Sequence, residues 1–583
     1  MCGISGLVNT KIYDDNDVKK MISCIAHRGP DEQDVINLGK CILGHARLAV
    51  VDLENGKQPM SNQDDSVWVV FNGEIYNFVE LRADLIAKGY VFKSRCDTEV
   101  LVHLWREKGP KMLDDLIGMF AFCIWDSKYE KGIIARDRQG IKPCYIMNID
   151  GGLAFASEIK SLLTLKNYNP EIDDTSLNLV HSFNYCPPPR TCYRGITQLE
   201  PGSYIEIGDK NYFGKKKYRN WSFAGEKDNI SFDTFASLLD DSIKMQLRFD
   251  VKGCLFLSSG VDSSILAAHL SKYHNSSNLI AYSLDNNVSN YSEYSEAKKI
   301  ADQFNFELRK VRYDFNIVPN KIDEVIYHAD QPHGDFSFFL INLLCDQASK
   351  DGHIVAFNGD GPDEIMNGFS HNELYLNNHH SETLLHEKYF DIISFMPEGI
   401  KRRILNEDFY LKGNLGHETF QEMMEPFKKL KSNDQIAAYE SIYLAQGNNL
   451  IKTDRMGAGK SIEGRSPYLD HRITELMAKM SNDQKFSKTY SKYFLKEYGL
   501  KFFEKDQMFK KKSMPTMPIG EWIKGPLKDW AIASLEGLDK SRYNVKESLN
   551  LLNEHCSGIY DHTRSLRTLL ITSAWMSQKP NKQ

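Results

Sequence analysis

The chain lacks an uninterrupted apolar run of about 18 residues, so no membrane-spanning helix is expected. It also lacks an excess of positive charge. The 72 Lys and Arg residues stand against 78 Asp and Glu residues, giving a net charge of −6, which argues against an electrostatic nucleic-acid binder. No basic start followed by an apolar segment is seen, so no secretory signal is expected.

Cysteine is sparse and shows no paired pattern. Eleven cysteines are scattered over 583 residues, without CxxC pairs or His/Cys metal-ligand spacing. This pattern predicts a reducing, cytoplasmic location rather than a disulfide-stabilised secreted protein. With 583 residues, 42% of them hydrophobic, the chain is too long for one core, and roughly two to four domains are expected.

The first part of the chain is rich in short strand-like runs separated by turn residues. Two helical stretches interrupt these runs, near residues 17–26 and 78–88, and Asn77 is a suitable N-cap for the second. A layered α+β domain is therefore expected over residues 1–207. The polar and basic stretch that follows, residues 208–229, is predicted to be a linker.

The pattern changes after the linker. Strand-like apolar runs alternate with helical stretches, which is typical of a parallel sheet covered by helices on both faces. The predicted strands are residues 254–257, 279–284, 306–313 and 353–357. Beyond about residue 370 the pattern is mostly helical. Residues 230–583 are therefore predicted to form an α/β parallel-sheet domain with a helical C-terminal part.

Two polar loops each follow a predicted strand of this sheet. The first, SSGVDSS at 258–264, opens a helix and can aim backbone N–H groups, hydroxyls and a helix N-terminus at phosphate oxygens. The second, NGDGPDE at 358–364, is acidic. Because ligands of open parallel sheets bind at the carboxyl ends of strands, both loops are expected to meet one nucleotide. Asp262 and Asp363 would then share a Mg²⁺ ion.

The second residue of the chain is Cys2. Removal of Met1 would leave this residue with both a thiol and a free α-amine. A thiolate is the reactive form of cysteine, and a neighbouring base can generate it. Cys2 is therefore a candidate N-terminal nucleophile that carries its own base.

Cys2 stands in the first of seven motifs in the first 205 residues. These are MCGISG at 1–6, HRGPD at 27–31, GHARLAVVD at 44–52, QPM at 58–60, FNGEIYN at 71–77, DTE at 97–99 and RDRQGIKP at 136–143. With these motifs, the first 205 residues resemble the class II glutamine amidotransferase domain, which has an N-terminal-nucleophile fold. The resemblance implies that Cys2 attacks the side-chain amide of glutamine, with Asn72 and the N–H of Gly73 as the oxyanion hole. It further implies glutamine binding by Arg47, Glu74 and Asp97.

Residues from about 230 to 575 resemble the synthetase domain of asparagine synthetase, an ATP-pyrophosphatase fold. Beyond the two polar loops, the matching segments are YSEA at 294–297, DRM at 454–456 and EGRSPYLDHR at 463–472. The resemblance implies ATP as a substrate with Mg²⁺, and Lys512 facing phosphate charge. The implied ATP-binding residues are Leu257, Ser258, Ser259, Gly260, Asp262, Ser263, Ser264, Ser283, Asn358 and Gly359. Glutamine-derived ammonia would displace AMP from an acyl-adenylate.

The synthetase half departs from the family pattern in three places. Ser259 stands where a glycine is usual, Pro362 interrupts the acidic loop, and Lys512 is followed by Ser513-Met514 instead of the usual x-Gly. Two readings stay open: an asparagine synthetase that acts on aspartate, or a relative that amidates another carboxylate, such as a sugar acid or secondary metabolite. A stand-alone glutaminase and a non-catalytic descendant fit the combined motifs less well. The resemblance implies small-molecule partners and a homodimer. It implies neither a nucleic-acid partner nor a membrane.

Overall fold

The computed structural model describes residues 1–208, 214–219, 222–273, 279–286, 292–378, 385–487, 489–510 and 517–578. The strands of the first part of the chain are β1 (Gly3–Val8), β2 (Glu32–Asn37), β3 (Cys41–Arg47), β4 (Met60–Ser61), β5 (Val67–Ile75), β6 (Gly118–Asp126), β7 (Lys131–Arg136), β8 (Tyr145–Ile149), β9 (Gly152–Ala156), β10 (Ile196–Gln198), β11 (Ser203–Ile207) and β12 (Lys215–Lys217). The helices are α1 (Asp15–Cys24), α2 (Phe78–Ala87), α3 (Glu99–Lys108), α4 (Ile159–Leu163) and α5 (Asp174–Phe183).

Two antiparallel sheets form the centre of this part. The strand orders are β10-β8-β9-β1-β3-β2 and β12-β11-β7-β6-β5-β4. The sheets pack face to face through apolar side chains such as Ile4, Leu43, Val70 and Ile134. Helix α1 covers the outer face of the first sheet, and α3 covers that of the second. Because β1 is covered on both faces, all of its residues are buried. This is the predicted N-terminal-nucleophile sandwich, with layers in the order helix, sheet, sheet, helix.

The second part contains a parallel sheet. Its strands are β13 (Gly253–Phe256), β14 (Ile280–Asn286), β15 (Leu308–Tyr313), β16 (Val355–Phe357) and β17 (Glu463–Arg465), in the order β15-β14-β13-β16-β17. All neighbouring pairs are parallel, which confirms the predicted fold class. The helices up to β16 are α6 (Phe232–Gln246), α7 (Val261–Leu270), α8 (Tyr294–Gln303), α9 (Ile317–Ala329) and α10 (Ser337–Lys350). The sequence did not predict β17, which is short and carries two charged side chains.

The rest of the described chain is mostly helical, as predicted. The helices are α11 (Pro362–Ile365), α12 (Ser370–Asn378), α13 (Leu385–Ile393), α14 (Glu398–Ile404), α15 (Glu407–Gly413), α16 (Gly416–Met424), α17 (Ser432–Tyr439), α18 (Leu450–Ala458), α19 (His471–Lys479), α20 (Asn482–Lys485), α21 (Tyr493–Gly499), α22 (Lys505–Met508), α23 (Ile519–Lys524), α24 (Lys528–Glu536), α25 (Val545–Cys556) and α26 (Thr563–Ser577). A π-helical segment, Glu440–Asn449, joins α17 to α18. None of the helices in the described ranges has the length and apolarity that a bilayer crossing requires.

Two local features differ from expectation. The side chain of Asn77 does not cap α2; instead its Nδ2 donates to the carbonyl of Asp115 and its Oδ1 accepts from the N–H of Ile117. These bonds satisfy backbone groups of a loop, which lack partners from regular structure. Strand β12 lies inside the predicted linker and pairs with β11. The boundaries at 207 and 230 stay predictions.

Candidate active sites

Cys2 enters the sandwich at the centre of the first sheet. It directly precedes β1, whose pairing with β3 sets Gly3 opposite Ala46, so the nucleophile lies beside the end of β3 that carries Arg47. The Sγ atom of Cys2 donates to the carbonyl of Leu48 at 3.7 Å. Burial raises the pKa of the Cys2 thiol. A base near Cys2 is therefore needed before the thiol can attack.

Met1 fills the space between Cys2 and the second part of the chain. It is 1% exposed, and its α-ammonium lies 3.9 Å from Oε2 of Glu463 on β17. Burial lowers the pKa of this amine to about 6, although Glu463 opposes the shift. An amine with so low a pKa is largely neutral at pH 7 and can accept a proton. Removal of Met1 would pass the chain's α-amine to Cys2 at this same interface.

The predicted oxyanion hole lies on β5, in the sheet that faces β1. Asn72 is fully buried, and neither its Oδ1 nor its Nδ2 has a hydrogen-bond partner in the described part of the chain. A buried amide without partners costs about 1–3 kcal/mol, which is understandable where a substrate supplies the partner. Gly73 has a φ of +153°, and a Cβ there would lie 1.9 Å from the carbonyl of Met119. Only glycine fits this position.

Replacing Asn72 with alanine is expected to lower the glutaminase kcat by about 10²- to 10³-fold, the loss typical of one oxyanion donor. The melting temperature should not fall, because no hydrogen bond within the described chain is lost. Asn62→Ala is the matched control, since Oδ1 of Asn62 accepts from the N–H groups of Ser66 and Val67. That variant should lose thermal stability and keep its kcat. Steady-state glutamate release and thermal melts separate the two cases, and an unchanged kcat in Asn72→Ala would contradict the assignment.

The three predicted glutamine-binding side chains lie around this centre. The guanidinium of Arg47 is held by the carbonyls of Leu53 and Asp52 at 3.0 and 2.8 Å. Asp97 accepts from the N–H of Ile75, next to Glu74, at 2.9 Å. Burial raises the pKa of Asp97 to about 6, and burial together with Asp97 raises the pKa of Glu74 well above its usual value. Two neighbouring buried carboxyl groups with raised pKa values favour the binding of a cation between them. The α-ammonium group of glutamine is such a cation.

Glu74 also contacts the second part of the chain. Its Oε1 lies 3.2 Å from Nη2 of Arg465, which in turn lies 2.9 Å from Glu463. Both partners are on β17, the strand that the sequence did not predict. The predicted glutamine site is therefore built partly by residues of the second part of the chain.

The two polar loops converge on one cavity of about 520 Å³. They follow β13 and β16, which are neighbours in the parallel sheet. The predicted ATP-binding residues that line the cavity are Leu257, Ser258, Gly260, Asp262, Ser263, Ser283 and Gly359. Ser259, Ser264 and Asn358 are buried and, within the described chain, are not among its lining residues. The adjacent loops make this cavity the candidate nucleotide site.

Internal hydrogen bonds hold the first loop in shape. Oγ of Ser258 accepts from the N–H of Gly260 at 3.1 Å and lies 2.8 Å from Oγ of Ser263. Helix α7 starts at Val261 with Gly260 as N-cap, and no side chain caps its first N–H groups. These N–H groups carry the positive end of the helix dipole, which suits a phosphate.

A residue missed in the sequence, Lys492, pairs with two aspartates that line this cavity. Nζ of Lys492 is 2.6 Å from Oδ2 of Asp262 and 2.9 Å from Oδ1 of Asp363. Burial disfavours the charged form of Lys492, but the two aspartates outweigh it and raise the pKa of Lys492. Lys492 also has a φ of +50°, which few non-glycine residues adopt. No motif around Lys492 signals this position, because its partners lie far away in the chain.

The altered acidic loop is accommodated by a short helix. Pro362 occupies the first turn of α11, where a missing N–H costs nothing, and Gly361 before it has a φ of +117°. Asp360 accepts from Oγ1 of Thr453 at 2.8 Å. Burial, aided by Asp363, raises the pKa of Glu364 to about 8. The proline therefore changes the loop without removing its carboxylates from the cavity.

The donor set fits Mg²⁺ bound together with phosphates. The described residues hold no cluster of three or more His, Cys, Asp or Glu side chains that forms a complete metal cage. Mg²⁺ commonly uses one or two carboxylates plus substrate phosphates and water, which matches the convergence of Asp262 and Asp363 on one point. Lys512 and Met514 lie outside the described residues.

Comparisons with known proteins match both halves of the chain. A glutamine amidotransferase domain model matches residues 1–219, and an asparagine synthase model matches residues 234–577. Asparagine synthetase [glutamine-hydrolyzing] 1 of Bacillus subtilis (strain 168) is 30% identical over 619 residues, covering 99% of this chain and 96% of that protein. Amidase chyE of Penicillium rubens (strain ATCC 28089 / DSM 1075 / NRRL 1951 / Wisconsin 54-1255) is 27% identical, and the match covers 61% of this chain and 55% of that protein.

A solved structure of glutamine phosphoribosylpyrophosphate amidotransferase from B. subtilis is 17% identical, covers 53% of this chain and 66% of that chain, and gives a TM-score of 0.28. So low a score adds nothing to the match of the family models and of the full-length relative. Those matches agree with the order of the two folds. The chain belongs to the family of glutamine-hydrolysing asparagine synthetases, which are carbon–nitrogen ligases with a glutamine amidotransferase domain and an ATP-using synthetase domain.

Proposed function

We propose that this chain is a glutamine-dependent asparagine synthetase. It hydrolyses glutamine to ammonia at Cys2, adenylates the side-chain carboxylate of aspartate with ATP, and joins the two. One observation carries the synthetase half: Lys492 contacts both Asp262 and Asp363, and these two aspartates, one from each polar loop, line the same cavity. A lysine held between two carboxylates at the end of a parallel sheet can offset the negative charge of a nucleoside triphosphate, and the carboxylates can bind its metal ion.

In the glutaminase half, the thiolate of Cys2 attacks the amide carbon of glutamine. The oxygen that becomes negative is placed to accept from Nδ2 of Asn72 and from the N–H of Gly73. The amide nitrogen leaves as ammonia once it has gained a proton, and a thioester remains on Cys2. Water then attacks the thioester and releases glutamate. The α-amine of Cys2 serves as the base in the first step and returns the proton to the leaving nitrogen.

In the synthetase half, an oxygen of the acceptor carboxylate attacks the α-phosphorus of ATP, and pyrophosphate leaves. Carboxylate is a poor electrophile, and adenylation gives it a good leaving group. Ammonia then attacks the acyl carbon, and AMP leaves. Lys492 and the N-terminus of α7 offset the negative charge that gathers on pyrophosphate. Asp262 and Asp363 would hold Mg²⁺, which supplies further charge neutralisation at the phosphates.

The identity of the acceptor depends on a charged part of the cavity wall. Lys452, Arg564 and Arg567 contribute positive charge there, and Asp335 contributes a carboxylate. This mixture suits an amino acid that carries two carboxylates and an ammonium group, as aspartate does. Asp335 is paired with Lys452 at 3.3 Å, so the charges on the wall are partly balanced before substrate binds.

A second acceptor class stays open because the same wall is also aromatic. Phe183, Tyr185 and Phe395 line it. Rings of this kind offer apolar area that aspartate does not need but that a larger acid, such as a sugar acid or secondary metabolite, would use. The relative named as an amidase leaves the same alternative open.

The acceptor is tested by pyrophosphate release from ATP with ammonium as the nitrogen source. We expect aspartate to stimulate release and asparagine to accumulate in equal amount, together with AMP. Glutamate, one methylene longer, is the matched control and should not stimulate release. Stimulation by a larger carboxylate but not by aspartate would favour the second acceptor class, and ADP with orthophosphate as products would contradict the adenylation chemistry. The cytoplasmic location and the homodimer stay predictions.

A further inference from the structure

One buried arginine connects the nucleophile to the synthetase half. Arg28 is fully buried, and its Nε donates to the backbone carbonyl of Cys2 at 2.9 Å. Its Nη1 and Nη2 donate to the two carboxylate oxygens of Asp454 at 2.9 and 3.1 Å. Nη1 also donates to Glu158 at 2.8 Å. Such a two-point arginine–carboxylate pair fixes both distance and orientation, so the position of Cys2 depends on the position of Asp454.

The helix that carries Asp454 also reaches the nucleotide cavity. The residue before it, Thr453, donates to Asp360 at 2.8 Å, and Asn449 donates to Glu364 at 2.5 Å. Both acceptors are carboxylates of the acidic loop and line the cavity. The six residues from Asn449 to Asp454, here called the Asn449–Asp454 turn, therefore contact the acidic loop at one end and Arg28 at the other.

The chain just before this turn has unusual geometry. The π-helical segment Glu440–Asn449 leads directly into α18. π-Helical turns are rare and concentrate at functional sites. Glu440, Leu444 and Asn448 of this segment line the cavity as well. A substrate in the cavity would thus lie against the same run of helix that carries Asp454, the partner of Arg28.

We propose that Asp454 is a positioning residue for Cys2, acting through Arg28, and that the Asn449–Asp454 turn makes the glutaminase rate depend on nucleotide in the synthetase cavity. The inference rests on the proposed function, since it concerns the same two sites. A ligand that contacts the acidic loop differently in two arrangements of this turn shifts the balance between them. The arrangement that holds Cys2 correctly is then favoured when ATP is bound, so ammonia is released when it can be used.

The first test is Asp454→Asn in the full-length enzyme. The amide keeps the shape of the carboxylate but loses the charged pair with Arg28. We expect the glutaminase kcat to fall about tenfold with an unchanged KM for glutamine. This split is expected because, among the contacts of the described residues, Arg28 reaches Cys2 and none of the side chains assigned to glutamine. Ammonia-dependent pyrophosphate release should stay within about twofold of wild type.

The matched control is Glu80→Gln. Glu80 pairs with Arg248 at 2.6 and 2.7 Å, also across the two halves of the chain, but on the surface and away from α18. This variant should behave as wild type in both assays. If Asp454→Asn also behaves as wild type, or raises KM in place of lowering kcat, the positioning role is refuted.

The second test uses Thr453→Val, which keeps the shape of the side chain and removes its bond to Asp360. Glutaminase is measured with and without saturating MgATP. We expect MgATP to raise the wild-type rate about fivefold or more, and to change the rate of Thr453→Val by less than about twofold, with equal rates in its absence. A wild-type ratio of one, or a full MgATP response in Thr453→Val, overturns the inference even if Asp454→Asn does not fold. Absence of any wild-type glutaminase would instead count against the proposed function.

Discussion

Replacing Cys2 with alanine is expected to abolish glutamine-dependent amidation and to leave ammonia-dependent amidation intact. The loss should reach at least about 10⁴-fold, as is usual when a nucleophile is removed. Ammonia-dependent synthesis should continue because the cavity lined by the two polar loops uses no atom of Cys2. The measurement is pyrophosphate release with glutamine and, separately, with ammonium chloride as the nitrogen source.

Cys24→Ala is the matched control for this experiment. Cys24 lies at the end of α1, is partly exposed, and is not part of either site. This variant should keep both activities. If Cys2→Ala still used glutamine, Cys2 would not be the nucleophile. If it lost ammonia-dependent synthesis as well, the separation of the two sites would be wrong.

Replacing Lys492 with methionine is expected to lower pyrophosphate release by about 10²- to 10³-fold with either nitrogen source. Methionine has a similar length and no charge, so Asp262 and Asp363 would face the phosphates without their shared cation. Glutamine hydrolysis measured without ATP should be retained, because Lys492 pairs with aspartates of the synthetase half. The readouts are pyrophosphate and glutamate release from the same preparation.

Lys501→Met is the matched control, since Lys501 is exposed and pairs with Asp233 at the surface at 3.2 Å. It should leave both activities unchanged. A Lys492→Met enzyme with normal pyrophosphate release would show that Lys492 is only a structural partner of the aspartates. Loss of glutaminase in the same variant would point to misfolding.

Much of the fold follows from local patterns. The alternation of apolar runs and helical stretches predicted four of the strands of the parallel sheet, and the segment around Asn72 and Gly73 lies on a strand as its apolar neighbours indicated. The two polar loops were found because strand, turn and helix signals adjoin each other within a few residues. Features that depend on near neighbours in the chain were therefore accessible from the sequence.

The features that the sequence did not reveal depend on distant neighbours. Lys492 lies 230 residues from Asp262, and Arg28 lies 426 residues from Asp454. Nothing near either residue in the chain marks the partner, and a buried charge becomes visible only when the fold brings its counter-charge to it. Strand β17 was missed for a related reason. Two of its three residues are charged, and the charge of Arg465 is balanced by Glu463 on the same strand and by Glu74 across the interface.

Transfer of nitrogen from glutamine to the product tests the central claim most directly. The enzyme is given glutamine labelled with ¹⁵N in its side-chain amide, ATP, the acceptor identified by pyrophosphate release, and an excess of unlabelled ammonium. If Cys2 supplies the ammonia that the synthetase cavity consumes, the product amide carries far more ¹⁵N than the bulk ammonium does, with one AMP and one pyrophosphate per product. A product whose label equals that of the bulk ammonium would contradict the account.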